Sequence, residues 1–238
     1  MTLRCVCLIS ALLLAVPAIA AEEEQEGPWA GKVTLGYLAT SGNTDNSNLN
    51  TAFEISYTRN DWKHSFKAHA INATEDQATT AESYEAGWKS ERDFSEGNYL
   101  FGQLDWRKDR FSGYDQQFSQ TVGYGRRLLD TDRHRLNIEA GLGARQSDLT
   151  DGTSQNETIL RGGLDYTLKI SDNSEFFQGL VVESGNENTY LESVTKLSAN
   201  LVGNLALVAS YTIKNNSQVP AGTEKTDTFT ALSLEYKF

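Results

Sequence analysis

The chain has 238 residues, 32 acidic against 21 basic side chains, a formal net charge of −11 and a mean hydropathy of −0.47. That sign of charge disfavours nucleic acid as a partner, and no stretch reaches the roughly twenty apolar residues of a membrane-spanning helix. Cys5 and Cys7, the only cysteines, both precede the N-terminal apolar run, so the expected mature chain has neither a disulfide framework nor a thiolate metal site.

The N-terminus carries Arg4, an apolar run from Leu8 to Val16, then Pro17 and the small-residue site Ala18-Ile19-Ala20. This pattern predicts a secretory signal peptide over residues 1–20, cleaved near Ala20. Loss of Arg4 leaves 20 basic against 32 acidic side chains, a net −12. Residues 21–28, with Glu22, Glu23, Glu24 and Glu26, read as a solvated acidic lead segment in the periplasm.

From Trp29 to Phe238 the chain falls into twelve runs of alternating hydrophobicity separated by turn chemistry. The first, Trp29 to Thr40, sets Trp29, Val33, Leu35 and Tyr37 against Lys32, Thr34 and Thr40. The second, Ser47 to Thr58, sets Leu49, Phe53, Ile55 and Tyr57 against Asn48, Asn50, Glu54 and Ser56. The fourth, fifth and ninth, near Ser83 to Asp93, Tyr99 to Arg110 and Glu175 to Glu183, alternate less cleanly. In the seventh, Leu136, Ile138, Ala140, Leu142 and Ala144 interleave with Arg135, Asn137, Glu139, Gly141, Gly143 and Arg145. A helix would spread those charges around its axis, whereas a strand puts them on one face. The last run, Thr226 to Phe238, ends on an aromatic residue.

The connections alternate in kind. Short turns at Arg59 to Asp61, Ser95 to Asn98, Leu129 to Arg133, Ser171 to Ser174 and Val202 to Asn204 separate mostly longer loops at Ser41 to Asn46, Thr74 to Thr80, Phe111 to Asp115, Ser147 to Ser154, Gly185 to Asn188 and Ser217 to Glu224. The expected fold is therefore all-β: a single transmembrane antiparallel β-barrel over residues 29–238, of about twelve strands, with short periplasmic turns, longer outer loops and both termini periplasmic. Trp29, Tyr57, Trp62, Phe94, Tyr99, Phe176, Phe177, Tyr236 and Phe238 near the periplasmic ends predict an interfacial girdle.

Strand parity turns Glu54, Lys67, Lys89, Arg127, Glu139, Arg145, Glu157, Arg161 and Asp165 into the lumen, together with Lys63, Glu85, Arg135 and Lys169. Two arrangements fit both signs of charge. One is a ladder of ion pairs between neighbouring strands that pins register; the other is a selectivity ring with opposed acidic and basic walls. Gly123-Tyr124-Gly125 and Gly141-Leu142-Gly143 lie inside strands with no helix after them, so they read as small interior residues leaving room for Arg127 and Arg145, or for curvature. Of the histidines, His64 has lipid-facing parity, His134 falls at a periplasmic turn, and His69 faces the lumen with no acid near it in sequence. No spacing matches a metal-ligand motif, and no residue is singled out as catalytic or cofactor-binding. Asp148 to Thr153 lacks calcium-loop periodicity and reads as a turn.

Gly36-Tyr37 followed by Thr40-Ser41-Gly42-Asn43-Thr44, then Ser90-Glu91-Arg92, Asp109-Arg110-Phe111 and Gly123-Tyr124-Gly125-Arg126, together resemble the YdiY-like salt-induced outer-membrane proteins, a family with a domain of unknown function. The resemblance spans Trp29 to Phe238 and implies an outer-membrane barrel, with no reaction, ligand or catalytic set to carry over. The terminal Phe238 is similar to the end signature read by the barrel assembly machinery. The expected function is a narrow passive channel for ions or small polar solutes, without a cofactor, in contact with outer-membrane lipids and lipopolysaccharide. The alternatives are a non-conducting structural or loop-binding barrel and, third, a lipid-modifying enzyme.

Overall fold

A computed structural model describes residues 27–41, 47–75, 78–109 and 112–238; the expected signal peptide and most of the acidic lead lie outside the described residues. The strands are β1 (Trp29–Ser41), β2 (Ser47–Arg59), β3 (Trp62–Glu75), β4 (Ala78–Ser95), β5 (Asn98–Asp109) and β6 (Tyr114–Asp130). They continue with β7 (His134–Leu149), β8 (Ser154–Ser171), β9 (Ser174–Ser184), β10 (Thr189–Val202), β11 (Leu205–Asn216) and β12 (Thr226–Lys237). Each pairs antiparallel with its chain neighbours, and β1 pairs with β12 from Lys32 opposite Lys237 to Ser41 opposite Thr228, closing the sheet. Closure leaves no edge strand, which hydrocarbon requires because it offers no water to unpaired backbone groups.

Burial is inverted relative to a water-soluble protein. Among the described residues, the buried side chains comprise 18 polar or charged and 10 hydrophobic, while 28 large hydrophobic side chains are exposed. Along β12, Asp227, Phe229, Ala231, Ser233 and Glu235 are buried, while Leu232, Leu234 and Tyr236 are about half exposed. Val122, Leu142 and Leu160, side by side on β6, β7 and β8, form the same apolar belt on the far wall. A contiguous band of this kind is incompatible with water and matches the lipid-facing surface of a barrel.

Two details differ from the sequence reading. Tyr99, only 2% exposed, and Phe177 point inward, because both hold lumen parity in their strands; Trp29, Tyr57, Trp62, Phe94, Phe176, Tyr236 and Phe238 keep to the outside or the rim. The expected outer loop Ser147 to Ser154 contracts to the turn at residues 150–153, since pairing of β7 with β6 continues as far as Leu149 opposite Tyr114. In that turn Asp151 accepts the Thr153 backbone N–H at 2.9 Å, and this hydrogen bond lowers its carboxyl pKa.

The strand glycines make space for the aromatic residues of β5. A Cβ on Gly125 would overlap the Tyr99 ring, and one on Gly123 would lie 2.6 Å from Phe101. Arg127 uses the same space by lying over Tyr99, 4.7 Å from the ring centroid. On Gly143 a Cβ would collide with the Gln120 backbone oxygen, so that glycine permits close approach of β6 and β7.

Gly125→Val and Gly143→Val are each expected to destabilise the barrel by about 1–3 kcal/mol through overpacking. The measurement is the urea midpoint at which heat-modifiable migration is lost. Gly162→Ala, whose Cβ would meet nothing within 4 Å, leaves that midpoint in place. Midpoints unchanged in both valine variants contradict the packing described.

Candidate functional site: the charged lumen

Every lumen position follows from register. Glu54 of β2 faces Lys32 of β1 on one side and Lys67 of β3 on the other; Arg145 of β7 faces Glu157 of β8, and Arg161 faces Glu183 of β9. The ladder expected from sequence is therefore present on several walls. Lys32 Nζ lies 3.5 Å from Glu54 and 3.4 Å from Glu235, tying β2, β1 and β12. Arg127 Nη1 donates to Asp93 at 2.9 Å, with Glu91 at 3.7 Å from Nη2, and so already reaches past β5 from β6 to β4.

Other pairs skip strands and brace the interior. Lys89 of β4 reaches Glu139 of β7, which also accepts from Tyr99 Oη at 2.8 Å and from Arg161 Nη1 at 3.1 Å. Glu183 of β9 has no solvent exposure and lies within 4.0 Å of guanidinium nitrogens on three strands: Arg107 at 3.4 Å, Arg145 at 3.4 Å and Arg161 at 3.9 Å. Arg145 is likewise fully buried, donating to Glu157 Oε1 from Nε at 3.0 Å and from Nη2 at 2.6 Å. Arg107 lies over the Tyr190 ring at 4.4 Å. Lys214 of β11 pairs with Glu85 of β4 and lies 3.6 Å from Asp109 of β5. The barrel is thus crossed from its β4–β5 wall to its β9–β11 wall.

Of the nine lumen charges singled out from sequence, Glu54, Lys89, Arg127, Glu139, Arg145, Glu157 and Arg161 lie in these ion pairs. Lys67 and Asp165, in the periplasmic halves of β3 and β8, instead stand exposed to solvent inside the barrel, and the Lys67 ammonium feels the charges of Glu54, Asp165 and Asp105. Arg107, Glu183, Lys214 and Asp109 escaped the sequence reading. Arg107 and Glu183 lie in the runs of weakest alternation, and the ion pairs that select all four cross between strands far apart in sequence. Their signal was parity alone.

The histidines separate similarly. His64 is on the outer surface, hydrogen-bonded to Ser90 Oγ at 2.8 Å and stacked on Trp62. His134 lies 2.9 Å from Tyr166 Oη. His69 does have an acid beside it, Glu85 on β4, with 4.0 Å between Nδ1 and Oε2, but that carboxylate is engaged by Lys214.

The two ends of the lumen differ. At the periplasmic end, a recess of about 460 Å³ is lined by turn residues 130–133 and by Arg135, Thr167, Lys169 and Glu175. At the outer end Tyr114, Leu149, Tyr190, Asn188, Asn216 and Asp227 are all buried.

Solved structures of similar fold include the NanC porin (TM-score 0.60, 11% identity, covering 87% of this chain and 100% of that one) and the KdgM porin in complex with disordered oligogalacturonate (0.50, 11%, 87% and 99%). The translocator domain of the autotransporter NalP from Neisseria meningitidis is also similar (0.54, 11%, 91% and 90%). At such identities the likeness carries the fold. Uncharacterized protein YdiY of Escherichia coli strain K12 is 33% identical over 210 residues, spanning 88% of this chain and 83% of that protein. A family model described as "Protein of unknown function, DUF481" matches residues 33–238, and with that span the chain belongs to this family.

Proposed function

We propose that the protein is an outer-membrane barrel carrying a narrow aqueous path, through which ions or small polar solutes pass passively. The observation that supports it is the contrast inside one lumen: Lys67 and Asp165 face water in its periplasmic half while Arg145 and Glu183, toward the outer end, are sealed from it. A barrel of twelve strands lies between small barrels filled by side chains and wide porins. The buried Arg145, Glu157 and Glu183 lie toward the outer ends of β7, β8 and β9, and the exposed Lys67 and Asp165 lie in the periplasmic halves of β3 and β8. Two proteins of similar fold are described as porins, one with oligogalacturonate, but no solute transfers to this chain at 11% identity. In the same reading the signal peptide leaves near Ala20, the apolar belt contacts outer-membrane lipids and lipopolysaccharide, and Phe238 engages the assembly machinery. Phe238 closes the seam by exchanging backbone hydrogen bonds with Gly31 at 2.8 and 2.9 Å.

A second reading, a non-conducting barrel, is favoured by the cross-lumen pairs Lys214–Glu85 and Arg107–Glu183. Conductance of the refolded mature chain in a planar bilayer under a salt gradient decides between them. The channel reading expects discrete small steps. A heat-modifiable barrel that never conducts, even with its outer loops trimmed, overturns it.

The two environments also separate two kinds of variant. Lys67→Glu is expected to move the reversal potential toward cation selectivity with little change in stability, since the site is wet. Arg145→Ala leaves the buried Glu157 carboxylate without its guanidinium and takes one of three from Glu183, and is expected to cost about 3–5 kcal/mol of stability, read as a lower urea midpoint. A reversal potential unmoved by Lys67→Glu, together with an unaltered midpoint in Arg145→Ala, contradicts this division.

A further inference from the structure

The loop at residues 217–225, between β11 and β12, starts halfway round the ring from the loop between β5 and β6. The two nevertheless touch. Tyr114 Oη donates to the Gln218 carbonyl at 3.0 Å, and a Cβ on Gly113 would lie 2.7 Å from the Pro220 ring and 3.3 Å from Thr223 Cγ2. Gly113 has φ +80°, a left-handed conformation that a side chain disfavours, so glycine there serves both the turn and the close approach.

Two further outer turns converge on this contact. Thr150, after β7, donates its backbone N–H to the Gly113 carbonyl at 3.0 Å. Asn188, between β9 and β10, accepts from the Gln218 N–H and from Ser217 Oγ, both at 3.2 Å, and donates to Asn216 Oδ1 at 2.7 Å. Its own carbonyl receives Arg145 Nη2 at 2.5 Å. The outer mouth is therefore spanned by a hydrogen-bonded cover continuous with the buried network beneath. Lys214, three residues before the loop, crosses the lumen in the same direction to Glu85.

We propose that loop 217–225 is the gate of the aqueous path, closed over the outer mouth in this structure and opened by release of its contacts with Gly113 and Tyr114. This rests on the channel reading above. The base of the loop is held at Asn188 and by backbone hydrogen bonds from Ser217 to Thr189 and from Asn216 to Lys225. Tyr114 then bonds the Gln218 carbonyl, and beyond it Pro220 and Thr223 pack where a side chain on Gly113 would lie. At the tip Ala221 and Gly222 are exposed, and a Cβ on Gly222 would meet nothing within 4 Å. The strands are locked by continuous ladders, so the loop is the part free to move.

The test is single-channel recording on the mature barrel and three variants, each first confirmed closed by heat-modifiable migration. Replacing residues 218–224 with a short Gly-Ser turn is expected to turn brief openings into sustained ones. Tyr114→Phe, which removes one hydrogen bond and no bulk, is expected to raise open probability roughly fivefold. Gly113→Cys with Thr223→Cys places two thiols within bridging range, in a chain whose own cysteines precede the expected cleavage site. Oxidation is expected to abolish openings and reduction to restore them; if the left-handed backbone at Gly113 rejects a side chain and the double variant does not fold, the loop replacement and Tyr114→Phe carry the test. Equal conductance in the native, loop-replaced and Tyr114→Phe barrels overturns the gate and leaves the channel standing. Silence of all of them, loop-replaced included, overturns the channel itself.

Discussion

The seam between β1 and β12 is the constraint on which everything else depends. Until those strands meet, two edges of unpaired backbone face hydrocarbon; once they meet, every strand has two partners and lumen parity is assigned around the whole ring. The seam residues show how closure is made compatible with the chain end. Gly31 has no side chain where the Phe238 ring lies, and a Cβ there would come within 2.5 Å of it. Lys32, one residue on, binds Glu54 and Glu235 from the strands on either side, so closure and the first rung of the lumen network form together.

With the seam closed, alternation does two jobs. Outward positions need only be apolar. Inward positions must satisfy charge without much water, and the chain does so by surrounding carboxylates with guanidinium groups, as at Glu183, or by meeting one carboxylate with an amine, a phenol and a guanidinium, as at Glu139. Such buried sets are specific rather than strongly stabilising, because each ion gives up hydration to enter. Their consequence is geometric: they span the lumen between walls far apart in sequence and are sealed from solvent, while Lys67 and Asp165 stay exposed.

Much of this was legible in the sequence. The twelve strands, the nine lumen charges and the inward parity of His69 follow from period two, which a strand enforces residue by residue. What was not legible depends on contacts between strands far apart in sequence. Tyr99 reads as a girdle aromatic from its place near a strand end, yet Gly125 on the next strand opens a hollow that the ring fills. The loop Ser147 to Ser154 reads as long, yet pairing with β6 draws it into strand. Glu85 supplies His69 with an acid only through register with β4, and Lys214 reaches that same acid only across the closed barrel. The covering of the outer mouth belongs to this class as well, since nothing local in residues 217–225 points to Gly113.

The central claim is that the lumen is wet, reached from the periplasmic end and shut at the outer end. It is tested most directly by a single cysteine in place of Asp165, in the mature barrel reconstituted in one orientation and exposed to a membrane-impermeant thiol reagent from either side. The account predicts rapid labelling from the periplasmic face, slow labelling from the outer face, and none from either face for a cysteine in place of the neighbouring lipid-facing Leu164. Equal rates from both faces, or no labelling of position 165 from the periplasmic side, contradict it.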